Sequence, residues 1–218
     1  MRLHFKIQTN EEIIPFDNQP LLTGVIHKWL GWNNEHGKLS LYSFSQLEGG
    51  RAKSNGLRFE GITSFFFSSH KSELIKKMVS GIQSDPTMFN GLEVSEIVIQ
   101  EDPDFTGREL FFAASPIFIK RRVDERIDHI LYTDPRANSC LKETLQKKME
   151  ETGITDHSFD IRFDTTYHKA GTKKITYNGI QNRASWCPVI ITGKAETKLL
   201  AWNVGLGNST GVGFGAIK

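Results

Sequence analysis

The chain has 218 residues, enough for one large domain or two of about a hundred residues each, and either arrangement can bury a core. With 38% hydrophobic and 24% charged residues it has the make-up of a soluble globular protein, which excludes a disordered chain and a membrane-embedded one. The net charge of +2 gives little bulk attraction to phosphates, so local clusters of cations carry more weight than the total.

The first residues, Met1-Arg2-Leu3-His4-Phe5-Lys6-Ile7, alternate polar and apolar side chains, the period of a strand with one buried face. They lack the apolar core of a signal peptide, and no segment reaches the roughly 18 apolar residues of a membrane span. Cys140 and Cys187 are too few and too far apart for a four-cysteine zinc site or a disulfide framework. A cytoplasmic protein with reduced thiols, no structural metal and no membrane partner is expected.

After the first strand, Pro20 suits a first helical turn, and Leu22, Val25, Ile26, Trp29 and Leu30 recur at helical spacing until Gly31. This amphipathic helix carries His27. Asn33 to Lys38 reads as a polar loop bearing His36, and Leu39, Leu41 and Tyr42-Ser43-Phe44 resume strand character. Leu57 to Phe67 is rich in aromatic and β-branched residues, Glu73 to Ile82 has helical periodicity, and Leu92 to Gln100 alternates again. Strand, helix, strand, strand, helix, strand is the split βαβ order of ferredoxin-like domains.

In the second half a strand is expected through Pro116 to Lys120, a short one around Ile130 to Tyr132, and a helix from Pro135 to Glu151 capped by Asp134. Phe159 to Phe163, Lys173 to Tyr177, Trp186 to Thr192 and Leu199 to Val204 read as further strands. No proline- or serine-rich linker divides the chain, so the boundary is set near Ala114 and the halves are expected to pack closely.

The most specific feature is the run Gly205-Leu206-Gly207-Asn208-Ser209-Thr210-Gly211-Val212-Gly213-Phe214-Gly215, five glycines in eleven residues. Glycine permits positive φ and close backbone approach, so the run suits either successive N–H groups aimed at phosphate oxygens or a tight turn between closing strands. Gly207 and Gly211, on either side of the polar tip, are the positions expected to take positive φ or touch a ligand. The run lacks the lysine of a Walker loop, and a dinucleotide fold would need a helix after it. Cations cluster at Lys120, Arg121 and Arg122, at Lys169, Lys173 and Lys174, and at Arg51 and Lys53 beside a glycine pair.

This run, preceded by Val189-Ile190-Ile191-Thr192-Gly193-Lys194-Ala195 and Leu199-Leu200-Ala201-Trp202, resembles the closing segment of the CRISPR-associated repeat endoribonucleases. Leu41-Tyr42-Ser43-Phe44-Ser45-Gln46-Leu47 after the histidine-bearing loop, Ser115-Pro116-Ile117-Phe118-Ile119, and the helix Asp134 to Lys148 agree with that family in order. The resemblance implies an α+β fold of two tandem ferredoxin-like (RRM-like) βαββαβ domains packed together, the second less regular, here residues 1–114 and 115–218. It implies cleavage of CRISPR repeat RNA in a precursor transcript, without metal or other cofactor, by attack of the substrate's 2′-OH on the adjacent phosphate. The products would be 2′,3′-cyclic phosphate and 5′-hydroxyl ends.

Such chemistry needs an acid, a base and charge stabilisation of the phosphorane, and a histidine fits because its pKa lies near 6.5. His36 fits the family's catalytic position best, with His27 second. Lys38 could offset charge on the phosphorane and Tyr42 could hydrogen-bond a phosphate. RNA contacts are expected from Gly205, Gly207, Asn208, Ser209, Gly211 and Gly213 and from the clusters Arg51/Lys53, Lys120/Arg121/Arg122 and Lys173/Lys174. His70, His129, His157 and His168 are scattered, and Asp85, Asp102, Asp104, Asp160 and Asp164 form no paired-carboxylate site. The resemblance equally allows a non-catalytic RNA-binding subunit of a surveillance complex, other CRISPR-associated proteins as partners, and a homodimer.

Overall fold

Alternation at the start of the chain does form a strand. In the computed structural model, which describes residues 1–31, 39–177 and 179–218, β1 (Arg2–Gln8) buries Leu3, Phe5 and Ile7 on one face. Helix α1 (Gln19–Leu30) follows, then β2 (Tyr42–Phe44), a short hairpin of β3 (Arg51–Lys53) and β4 (Gly56–Arg58), β5 (Ile62–Ser69), α2 (Ser72–Ser84) and β6 (Glu93–Gln100). The four long-range strands lie in the order β2-β5-β1-β6, all antiparallel, with Phe5 opposite Phe65 on one side and Ile97 on the other. This is the ferredoxin-like order that the pattern predicts.

Helices α1 and α2 bury Leu22, Ile26, Trp29, Leu74, Ile75, Met78 and Ile82 in one core with the odd-numbered residues of β1. Each large side chain so buried contributes about 1.5–3 kcal/mol. The Phe5 ring lies 4.8 Å from Phe65 and 6.0 Å from Trp29, tilted in both cases. The helices cross at Gly81, where a Cβ would stand only 2.7 Å from Trp29 Cα. Gly31 ends α1 with its N–H on the carbonyls of His27 and Lys28.

The second half repeats the plan with insertions. Strand β7 (Leu110–Phe111), on the N-terminal side of residue 114, pairs with β13 (Val189–Thr192), which pairs with β10 (Asp160–Phe163). Just after β7, residues 112–114 pair with residues 216–218, which follow the glycine run, through an isolated antiparallel bridge at Ala113 and Ile217. Helices α3 (Ala137–Thr152) and α4 (Ala195–Val204) provide the crossovers. Two hairpins are inserted, β8 (Lys120–Val123) with β9 (Arg126–His129), and β11 (Gly171–Tyr177) with β12 (Ile180–Trp186).

These insertions correct several expectations. Pro116 to Ile119 is not a sheet strand: it touches β12 only where Ile117 meets Ser185, and Lys120 already belongs to β8. The strand foreseen at Ile130 is β9, four residues earlier, and Trp186 to Thr192 is split at Cys187-Pro188, where proline cannot continue a ladder. Asp134 closes the turn before α3, accepting the Arg136 N–H at 2.8 Å, but Arg136 is the N-cap. Leu199 to Val204 is helical, not extended. Helix α4 is buried nearly all round, including Thr197, Lys198, Leu200, Ala201, Trp202, Asn203 and Val204, so its sequence carries no amphipathic period to distinguish it from a core strand.

The halves meet across the open face of the first sheet. Phe66 packs with Ala114 and Ala216, and α4 lies against β2 and β5. Among the described residues no helix is long and apolar enough to cross a membrane.

Candidate functional site

The glycine run leaves α4 at Gly205 and threads between the halves ahead of the residues that pair with 112–114. Its N–H groups are largely spent on the protein. Leu206 donates to Gly215 O (2.8 Å), Asn208 to Phe118 O (2.7 Å), Gly213 to Thr210 O (3.2 Å) and Gly215 to Pro116 O (2.9 Å). Gly207 has φ +71 and no room for a Cβ against the Phe118 carbonyl. Gly211, also expected to take positive φ, does not; there a Cβ would instead meet Ser40 Oγ and, at 3.1 Å, Tyr42 Oη. Gly205 and Gly213 are equally enclosed, the latter by Gln19, whose amide donates to Val212 O at 2.8 Å. Close approach is therefore by the protein itself, and within the run Asn208 and Ser209 at the polar tip, together with Val212, are partly open to solvent.

That tip walls a cleft of about 460 Å³. Thr144, Lys147 and Lys148 of α3 form a second wall, Lys120 and Arg121 a third, and Leu39 and Ser40 a fourth. Asn208 Oδ1 accepts the Lys120 N–H at 2.9 Å, which fixes β8 to the tip. Arg121 reaches Glu143 at 2.7 Å, leaving its charge partly matched.

On the far side of Ser40 lies a second group. Tyr42, 3% exposed, donates its hydroxyl to Gly211 O at 3.2 Å, and the Tyr42 hydroxyl oxygen stands 3.4 Å from His27 Nε2. The helix thus presents a half-buried histidine whose orientation is set by a strand tyrosine and the glycine run.

The remaining predicted site residues fall elsewhere. Lys173 and Lys174 line a separate cleft of about 280 Å³ with Phe16, Asn18, Gln19 and Gln46, and the Lys173 ammonium lies 4.0 Å from the Trp186 ring centre. Arg122 is exposed on β8, its guanidinium donating to Asp124 O; Arg51 and Lys53 are exposed on β3, with Arg51 paired to Glu60 at 3.4 Å. None of these three lines either cleft. His36 and Lys38 lie outside the described residues.

Sequence reading missed Lys147, Lys148, Thr144, Thr210, Ser40 and Gln19. One signal was available: Leu141, Thr144, Leu145, Lys148 and Met149 follow the buried stripe of α3, and a lysine on such a stripe asks for a buried partner. Among the described residues no group of three or more His, Cys, Asp or Glu is arranged to hold a metal ion.

The fold and the family can now be compared with known proteins. The structure is similar to one described as a characterization of a Cas6-related gene from Pyrococcus furiosus, with a TM-score of 0.82 and 20% identity over 100% of this chain and 97% of that one. It is similar to a RAMP protein binding different RNA substrates, with a TM-score of 0.82 and 20% identity over 100% and 98%. It is also similar to Thermus thermophilus Cse3 bound to an RNA representing a pre-cleavage complex, at 0.52 and 12% over 100% and 98%. These likenesses establish the tandem ferredoxin-like fold. No curated protein sequence matches the chain. The model of the family described as CRISPR associated protein Cas6, C-terminal, matches residues 100–218, the half containing the second sheet, α4 and the whole glycine run, and by that match the chain belongs to the Cas6 family.

Proposed function

We propose that this chain is a metal-independent endoribonuclease that cuts the CRISPR repeat in precursor transcripts, using the substrate's own 2′-OH as nucleophile. Family membership supports a role in CRISPR RNA processing, and similar folds occur in proteins described as binding RNA. The observation that carries the reading is adjacency: a cleft walled by Lys120, Arg121 and Lys147 lies one residue, Ser40, away from the His27–Tyr42 pair.

In this reading the cations and the polar tip hold the RNA backbone, a contact that fixes position without reading sequence. His36 acts as general base or acid, and Lys38 offsets charge on the phosphorane. His27, oriented by Tyr42, supplies the second proton-transfer group. The 2′-oxygen bonds to phosphorus as the 5′-oxygen leaves, so one proton is removed and one delivered, and no other reactant is consumed.

The test is cleavage of repeat RNA in excess chelator. Wild-type protein should cut, should leave 2′,3′-cyclic phosphate ends, and should stop when a 2′-deoxynucleotide stands just upstream of the cut. His36→Ala and His27→Ala should bind the RNA but cleave about a hundred- to ten-thousand-fold more slowly. Cleavage of the deoxy substrate would refute the mechanism, and binding without cleavage by wild-type protein would make the chain a non-catalytic RNA-binding subunit.

A further inference from the structure

Lys148 lies on the buried stripe of α3 and is 1% exposed. Its ammonium donates to Val204 O at 2.9 Å, Gly205 O at 3.0 Å and Thr210 Oγ1 at 3.3 Å, which uses all of its protons. No carboxylate pairs with it among the described residues. A buried cation without a counter-charge is costly, and the two carbonyls offset part of that cost because they end α4, where the helix dipole is negative. The charged groups facing the cleft around it are mostly of its own sign: Lys147 on α3, and Lys120 and Arg121 on β8, with Glu143 committed to Arg121. Among the described residues no carboxylate lines the cleft.

Resting on the reading of this cleft as an RNA site, we propose that Lys148 is a positioning residue for a backbone phosphate. It binds the end of α4 and the glycine run to α3, and it acts on the phosphate through the Thr210 hydroxyl. Thr210 Oγ1 accepts from the ammonium and keeps its own proton for an oxygen in the cleft, which Thr210 lines. Ammonium, hydroxyl and phosphate form a chain in which each hydrogen bond polarises the next.

Burial pulls the Lys148 ammonium down to about 7. The group is then only partly charged in the free protein at neutral pH, and an arriving phosphate favours the charged form. Binding therefore raises its pKa and takes up a proton. The contribution is fully present below the free-protein value and is lost as pH rises through the value in the complex.

The experiment is binding of a fluorescent repeat RNA made uncleavable by a 2′-deoxynucleotide just upstream of the cut, followed by anisotropy at fixed ionic strength from about pH 7.5 to about pH 9, where ordinary histidines are already neutral. Wild-type affinity should fall about tenfold per pH unit until the pKa of the complex is reached, and calorimetry in buffers of different ionisation enthalpy at about pH 8 should register close to one proton taken up. Lys148→Met should abolish both the slope and the uptake. Thr210→Val leaves Lys148 its two carbonyls but one buried N–H without an acceptor, so it should melt a few degrees lower and, at a temperature where it is fully folded, bind several-fold more weakly; should Lys148→Met not fold, this variant and the wild-type proton count decide. RNA binding with a flat pH profile and no proton uptake overturns the proposal and leaves the RNA reading standing. Absence of RNA binding at every pH overturns both.

Discussion

Asp156 and Lys148 stand at opposite ends of α4, an anion at its N-terminus and a cation at its C-terminus, and neither belongs to the helix. The N-cap, Lys194, offers no side-chain bond. Asp156 takes that place: Oδ2 accepts the Lys194 N–H and the Thr197 hydroxyl, both at 2.8 Å, while Oδ1 accepts the Ser158 N–H at 2.9 Å and its hydroxyl at 2.6 Å. Burial opposes the charge, but the bonds from Ser158, Lys194 and Thr197 outweigh it and hold the carboxyl well below the usual carboxylate range. Asp156→Ala leaves these donors unpaired and should cost about 1–3 kcal/mol at neutral pH, measured by urea unfolding. Because the folded pKa is depressed, the stabilisation is complete above the unfolded value near 4 and is lost as pH falls through the folded one. The gap between wild type and variant should therefore narrow progressively below about pH 4; a gap independent of pH would mean that the charge contributes nothing. Asp156 drew no notice in the sequence because the partners that give it its role, Lys194 and Thr197, lie 38 and 41 residues later.

Among the elements, the glycine run was the most legible and the most misleading. Its composition announces close backbone approach, and the structure places Gly207 against Phe118 and Gly213 against Gln19. Composition cannot say whether a ligand or the protein makes the approach. The two glycines beside the polar tip separate these roles. Gly207→Ala forces a left-handed residue against a backbone oxygen and should lose about 2 kcal/mol or more of stability. At Gly211 the backbone is ordinary and the obstacles are side-chain atoms: the Ser40 hydroxyl, which can rotate away, and Ser40 Cβ and the Tyr42 hydroxyl, both at 3.1 Å, which need shift only by a few tenths of an ångström. Gly211→Ala should therefore melt closer to wild type than Gly207→Ala, yet cleave repeat RNA more slowly because the Tyr42 hydroxyl is driven from the Gly211 carbonyl and from His27. If Gly211→Ala loses stability but not cleavage, the Tyr42 contact belongs to the fold alone. Helix α4 shows the complementary failure: burial on every side removed the period by which a helix is recognised.

At the scale of the whole molecule, the first half was readable because β1, α1 and α2 each turn a periodic apolar face to one core. The second half was less so, because β8–β9 and β11–β12 interrupt the plan with alternating strands that belong to no central sheet. What joins the halves was not readable at all, since it depends on one exception to the alternation of β1. Arg2, in the register of the polar face, is 2% exposed. Its guanidinium lies between Phe66 and Trp202, 3.7 and 3.4 Å from their ring centres, and donates to Trp202 O at 2.9 Å, Ile217 O at 2.8 Å and Ser68 Oγ at 3.2 Å. Burial and the nearby Arg108 lower its pKa, and Asp102 acts in the opposite direction. One side chain thus joins β1 and β5 of the first sheet to α4 and the C-terminal residues. Arg2→Met retains an apolar stem but leaves two buried carbonyls unpaired, a loss of about 3 kcal/mol or more. For a chain of this length that corresponds to a fall of about 6–12 °C in melting temperature. Arg2→Lys keeps the charge but not the planar stacking or the forked donors, and should fall between the two. Calorimetric melting of all three proteins checks this, and an Arg2→Met protein that melts with wild type would show that the halves are held by apolar packing at Phe66, Ala114 and Ala216 without the arginine.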